Sequence, residues 1–329
     1  MYDPQIAAYL DRLQVAALPA PWELPLAAVR AAYDGGARQL FGESEVVAGV
    51  EDLRVNGISA GAGASRLGVG LEAAVVSGEA GVDEAAGVPV RVYTPVGGGD
   101  PEAATLYFHG GGWVIGSLES HDPLCRTLAA RSGQRVIAVD YRLAPEHVFP
   151  AAIEDAWTAL EWAHGEFPRL AVAGDSAGGQ LATSVALRAR DAGISLRLQA
   201  LIYPVTDNSF TTESYARECN PLALNEQQMR WFWEQYLPPD HRGLERDYAP
   251  LQASDLDGLP PSLILTAEHD PLRDEGELYA ERLRAAGLKV TLHRYEGMIH
   301  GFIRFPGIVD AANAAVTEVA EALAAALAR

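Results

Sequence analysis

Residues 170–179, LAVAGDSAGG, constrain the fold of this 329-residue chain more than any other stretch. The apolar run 170–173 stops at Gly174, Ser176 follows between Gly174 and Gly178, and 180–190 reads as a helix. A serine between two glycines, where a buried strand becomes a helix, is the G-x-S-x-G elbow pattern. The reason is steric: the serine sits on a sharp, strained turn, and strand and helix approach too closely there for side chains at the flanking positions. The turn also places the backbone N–H of Ala177 at a helix N-terminus, aimed where an oxyanion could form.

From residue 88 onward the chain has an α/β rhythm. Strands are expected at 88–93, 105–108, 135–140, 170–173, 198–203, 262–266 and 289–295, with helices at 124–131, 151–164, 180–191, 276–286 and 308–328. Apolar strands alternating with helices predict a mainly parallel sheet covered on both faces, with ligands bound at the carboxyl ends of the strands. Upstream, residues 2–40 look helical and amphipathic, interrupted by Pro19, Pro21 and Pro25. Residues 46–87 are rich in glycine and alanine and are expected to form hairpins with flexible turns. Gly68, Gly70 and Ala73 match the loose dinucleotide pattern G-x-G-x-x-A, but no strand precedes them and no helix clearly follows, so the match is read as accidental. Between 206 and 250 the alternation breaks around an aromatic helix at 226–236, an excursion too long for an ordinary connection. The expected organisation is one domain over 1–329, with a helical cap built from about 1–45 and 206–250.

Nucleophilic serine chemistry needs a base, an orienting acid and an oxyanion hole. Strand 105–108 runs into His109, Gly110, Gly111, Gly112 and Trp113, and consecutive glycines there let backbone N–H groups face a cavity. Gly110, Gly111, Gly112 and Ala177 are therefore the candidate oxyanion donors. Eight histidines compete for the base. His300 lies in a loop after the last strand and is favoured. His293 falls inside that strand, His269 is too local, and His109 is expected to brace the glycine loop. His121, His147, His164 and His241 look like surface or loop residues. For the acid, Asp270 is nearest the end of strand 262–266 and is held by Pro271, while Asp274 reads as a helix N-cap and Glu268 is a distant third. Asp175 beside the serine is expected to support the site rather than to react. Trp22, Trp113, Trp231 and Phe232 are the candidates for lining a substrate pocket.

Composition sets the remaining bounds. A net charge of −19 with no basic stripe argues against nucleic acid and anionic membranes as partners. Cys125 and Cys219 fit no metal or redox spacing and are read as two separate thiols, and no H-E-x-x-H pattern exists, so neither metal nor cofactor is expected. The N-terminal stretch lacks the pattern of a leader and no run approaches a membrane span, so a cytoplasmic location is the expectation. The reading admits a homodimer.

The motifs together are similar to the hormone-sensitive-lipase-like esterases of the α/β-hydrolase superfamily. The matching residues are HGGGW at 109–113, DYRLAPE at 140–146, FPAA at 149–152, GDSAGG at 174–179, DPLRDEG at 270–276 and HGF at 300–302. The resemblance implies an α/β-hydrolase fold with about eight strands, and the GDSAG form points to one of the family's two branches. It implies Ser176, Asp270 and His300 as the triad of a serine carboxylesterase for short- to medium-chain acyl esters. An amidase or deacetylase would use identical residues. The fold also serves non-catalytic small-ligand receptors that have lost the histidine, and the presence of His300 weighs against that reading.

Overall fold

The computed structural model describes residues 1–16, 19–57, 87–218, 220–241 and 243–329. Three helices come first, α1 (Pro4–Ala16), α2 (Leu26–Gly35) and α3 (Ala37–Phe41), followed by β1 (Gly49–Val55), β2 (Val88–Thr94) and β3 (Ala103–Phe108). Next are α4 (Leu118–Ser132), β4 (Arg135–Val139), α5 (Ala151–Glu166), β5 (Arg169–Asp175), α6 (Ala177–Asp191) and β6 (Leu196–Ile202). The excursion contributes α7 (Glu213–Arg217) and α8 (Glu226–Tyr236). The chain then runs through β7 (Ser262–His269), α9 (Arg273–Ala285), β8 (Val290–Ile299) and α10 (Asp310–Leu327).

The strands form one sheet in the order β1-β2-β4-β3-β5-β6-β7-β8. β1 and β2 pair antiparallel, as do β2 and β4, and every later pairing is parallel. Two cores flank the sheet because successive side chains of a strand point to opposite faces. On β3, Ala104, Leu106 and Phe108 join the core under α5, α6 and α9, whereas Ala103 and Tyr107 join the one under α4 and α10. Every residue of β3 is buried. Burial on both faces is why the central strands read as unbroken apolar runs.

Three differences from the sequence expectation have physical causes. The hairpins expected over 46–87 lie mostly outside the described residues, and β1 within that span was not placed as a strand, because most of its residues are exposed at the sheet edge and it carries no apolar run. It pairs with β2 from Gly49↔Thr94 to Val55↔Val88. The accidental fingerprint residues Gly68, Gly70 and Ala73, and Cys219, lie outside the described residues. α4 begins at Leu118, well before the expected 124, because the Ser117 hydroxyl caps it, accepting from Glu119 and Ser120 N–H at 3.1 and 3.3 Å. The helix then carries Pro123 through its interior. α6 begins at Ala177 rather than 180, so the helix starts directly after Ser176. Among the described residues no helix is long and apolar enough to cross a membrane.

Candidate active site

β5 delivers Ser176 at its carboxyl end, in the strained conformation φ 57°, ψ −120°. Few non-glycine residues adopt it, and it persists only where the surroundings over-determine it. Here the Ser176 N–H donates to the Ile202 carbonyl at 2.9 Å, and the Ser176 carbonyl accepts from Gln180 and Val205 N–H at 3.1 and 3.2 Å. A Cβ on Gly178 would run into the Phe108 carbonyl, so the crossing of α6 over β3 admits only glycine at that position.

His300 follows β8 and Asp270 follows β7, and the sheet brings both to Ser176. His300 Nε2 lies 2.9 Å from Ser176 Oγ, and His300 Nδ1 lies 2.7 Å from Asp270 Oδ2. Asp270 is fully buried, and its other oxygen accepts the Leu272 N–H at 2.9 Å. An ionised carboxylate can only accept, so it takes Nδ1–H and leaves Nε2 to receive the serine proton. The arrangement can therefore deprotonate a hydroxyl and hold the imidazolium that results.

The competing acids have other duties. Asp274 is not the N-cap of α9, whose capping position is Leu272. It lies in the first turn, accepts the Ser214 N–H at 2.7 Å and pairs with Arg273 at 2.8 Å. Glu268 accepts the Gly297 N–H at 2.6 Å, which steadies the stretch leading to His300. Neither hydrogen-bonds to His300.

The glycine loop departs from expectation at its first member. The Gly110 N–H donates to Asp175 Oδ1 at 2.9 Å, so this amide braces the loop and is withdrawn from the oxyanion donors. The N–H groups of Gly111, Gly112 and Ala177 meet no protein acceptor among the described residues. Gly111 and Gly112 have φ of 126° and 58°, and a Cβ on Gly112 would overlap the Phe232 ring. Asp175 also accepts from Tyr107 OH at 2.8 Å, and its Oδ2 lies 3.3 Å from His121 Nε2. Burial opposes its charge, but His121, Tyr107 and Arg304 outweigh burial and hold the carboxyl below the usual range.

His121 corrects the surface assignment. It is 1% exposed, inside α4, and Ser120 Oγ lies 2.8 Å from its Nδ1. His109 braces the loop as expected, with Nδ1 2.9 Å from the Gly110 carbonyl and its ring stacked on Tyr141. Burial, with His121 beside it, pushes the His109 imidazole down to about 3, and burial lowers His121 too. Below pH 6.5 the unfolded chain gains protons that the folded chain refuses, so this stability is present at neutral pH and is lost as pH falls. For His109 alone the loss is about 2 kcal/mol at pH 5. Thermal melts between pH 7.5 and 5 are expected to show falling stability, with a smaller fall in His109→Gln.

Of the pocket candidates, Phe232 lies against Gly112, half-buried Trp231 lies 5.0 Å from it ring to ring, and Trp22 is half-buried in a short turn at Pro21–Glu23. Trp113 is a correction. It is wholly buried, packed among other aromatics, and has no face left for a ligand. Two neighbours of the site gave no usable sequence signal. Tyr203, 4.5 Å from the His300 ring, looks like an ordinary core aromatic at a strand end. Gln180, fully buried behind the elbow, looks like any polar residue on a helix.

A family model described as the alpha/beta hydrolase fold matches residues 105–304. Carboxylesterase NlhH of Mycobacterium tuberculosis is 43% identical over 259 residues, covering 75% of this chain and 81% of that protein. An ethyl acetate hydrolase of Pseudomonas putida is 44% identical over 248 residues, covering 72% and 78%. Among solved structures, a thermostable esterase from Pseudomonas putida superposes with a TM-score of 0.87 at 33% identity, covering 100% of this chain and 98% of that one.

Proposed function

The chain belongs to the hormone-sensitive-lipase-like carboxylic ester hydrolases of the alpha/beta hydrolase fold, and from that premise we propose that Ser176, His300 and Asp270 are its catalytic triad. The observation that carries this reading is the pair of hydrogen bonds, 2.9 and 2.7 Å long, joining the three side chains in line.

The Ser176 hydroxyl attacks the ester carbonyl as His300 takes its proton, and Asp270 orients the imidazolium and stabilises its charge. The N–H groups of Gly111, Gly112 and Ala177 receive the tetrahedral oxyanion. His300 returns the proton to the leaving alcohol, and an acyl group remains on Ser176. His300 then draws a proton from water as the water oxygen attacks the acyl carbon, and gives that proton to Ser176 Oγ as the acyl–serine bond breaks and the acid leaves. Covalent labelling by a fluorophosphonate tests the nucleophile directly. Incorporation at Ser176 is expected, and an unlabelled folded protein would sink the assignment.

The N-terminal helices and the 206–250 excursion form a cap, and short to medium acyl groups fit beneath it. Phe232 supports this, since its ring lies over Gly112 and limits the room beside the glycine loop. The ethyl acetate hydrolase among the relatives points the same way. In a p-nitrophenyl ester series from acetate to palmitate, kcat/KM is expected to peak at short chains, and Phe232→Ala to move the peak towards longer ones. A wild-type optimum at palmitate would contradict the assignment. Amides would use the same residues, and a paired screen of acetate esters and acetanilides separates the two chemistries.

A further inference from the structure

Trp113 is held in an unusual state. Its backbone lies at φ 60°, in the left-handed region that bulky side chains avoid, and directly follows Gly112. The ring is enclosed from two sides by α8, stacked on Tyr236 at 4.3 Å and tilted against Trp233 at 4.4 Å. Its Nε1–H donates to Gln180 Oε1 at 2.9 Å, and its carbonyl accepts from Ala144 N–H at 2.9 Å. A conformation this unfavourable persists because the partners around it leave no alternative.

Gln180 joins the parts. It is fully buried on α6, one turn beyond Ala177, and its own N–H donates to the Ser176 carbonyl. Its side-chain Nε2 donates to the Asp247 carbonyl at 2.9 Å and to Ser184 Oγ at 2.8 Å. One amide side chain therefore ties together the glycine loop through Trp113, the nucleophile's helix, and the excursion through Asp247.

We propose that Gln180 is a positioning residue for ester hydrolysis. Through Trp113 it holds the backbone of Gly111 and Gly112 in register with the Ala177 N–H, so that the two halves of the oxyanion hole face one oxygen. This rests on the assignment of those amides in the preceding section. Gln180 touches no reacting atom and acts through Trp113.

The test is a double-mutant cycle on Gln180→Leu and Trp113→Phe, the latter keeping an aromatic ring beside Tyr236 while removing the indole N–H together with its part of the fused ring. A lost oxyanion donor typically costs 10²–10³ in turnover, so a loosened loop is expected to lower kcat for p-nitrophenyl acetate by about tenfold or more in each variant. KM should stay within about twofold, because the interaction is made in the transition state. The double variant should be no slower than the worse single one, since both break the same bond. Thermal melts establish that each variant is folded, and Trp113→Phe carries the test if Gln180→Leu does not fold. Unchanged kcat with only a lowered melting temperature would overturn the proposal. So would a rise in KM alone, or losses that multiply in the double variant. A Ser176→Ala control that kept its activity would remove the nucleophile assignment as well. Activity dependent on Ser176 but indifferent to Gln180 and Trp113 overturns the positioning role alone.

Discussion

Replacing Ser176 by alanine is expected to lower kcat for p-nitrophenyl acetate by roughly 10⁶-fold, with a melting temperature near that of the parent. The size follows from the nature of the triad. The three side chains act as a unit, so removing the nucleophile forfeits what all three supply together, and only the oxyanion donors and binding remain. The fold should be indifferent, because among the described residues the Ser176 hydroxyl has a single partner, His300 Nε2. The backbone bonds that pin the elbow run from the Ser176 N–H and carbonyl and survive the change. Alanine also tolerates φ 57° no worse than serine does. The measurement is a steady-state rate on purified variant together with a melting curve. Turnover within a hundredfold of the parent, in folded protein, would show that another group attacks the ester.

What could be read from the residues, and what could not, divides along physical lines. Ser176 and Asp270 were legible as candidates because each follows an apolar strand and His300 because it follows the last strand, and a parallel sheet gathers the carboxyl ends of its strands in one place. β3 and β5 were legible for a related reason: strands buried on both faces must be apolar throughout. β1 was not, because an exposed edge strand can be almost entirely polar. The misread residues share another cause. A sequence shows that Gly110 has an N–H but not that Asp175 accepts it, and shows a histidine at 121 but not that the same carboxylate buries it. Trp113 looked like pocket lining because it borders the glycines. Packing against α8, an element more than a hundred residues later, and the bond to Gln180 on α6 decide that its ring faces inward.

Asp270→Asn is expected to reduce kcat by about 10⁴-fold while leaving binding of substrate nearly unchanged. An amide at 270 can offer N–H to His300 Nδ1, which must then accept, so the ring proton moves to Nε2 where the serine proton should be received. The imidazole would be in the wrong tautomer for a base, and the imidazolium formed during attack would lose its counter-charge. No nearby carboxylate can step in. Asp274 is held by the Ser214 N–H and Arg273, and Glu268 by the Gly297 N–H. Glu275 is buried and accepts the Thr206 and Asp207 N–H groups at 2.7 and 3.2 Å. Burial pushes the Glu275 carboxyl well above the usual range, which makes it a poor source of negative charge for His300. Asp274→Asn should therefore cost little activity, since it lies outside the proton path, although it weakens the tie between α9 and the 213–217 helix. The comparison decides between the two aspartates in one pair of assays. If Asp270→Asn keeps a tenth of the parent rate while Asp274→Asn falls by several orders of magnitude, the orienting acid is Asp274, and the 2.7 Å bond to His300 is not the one that matters in turnover.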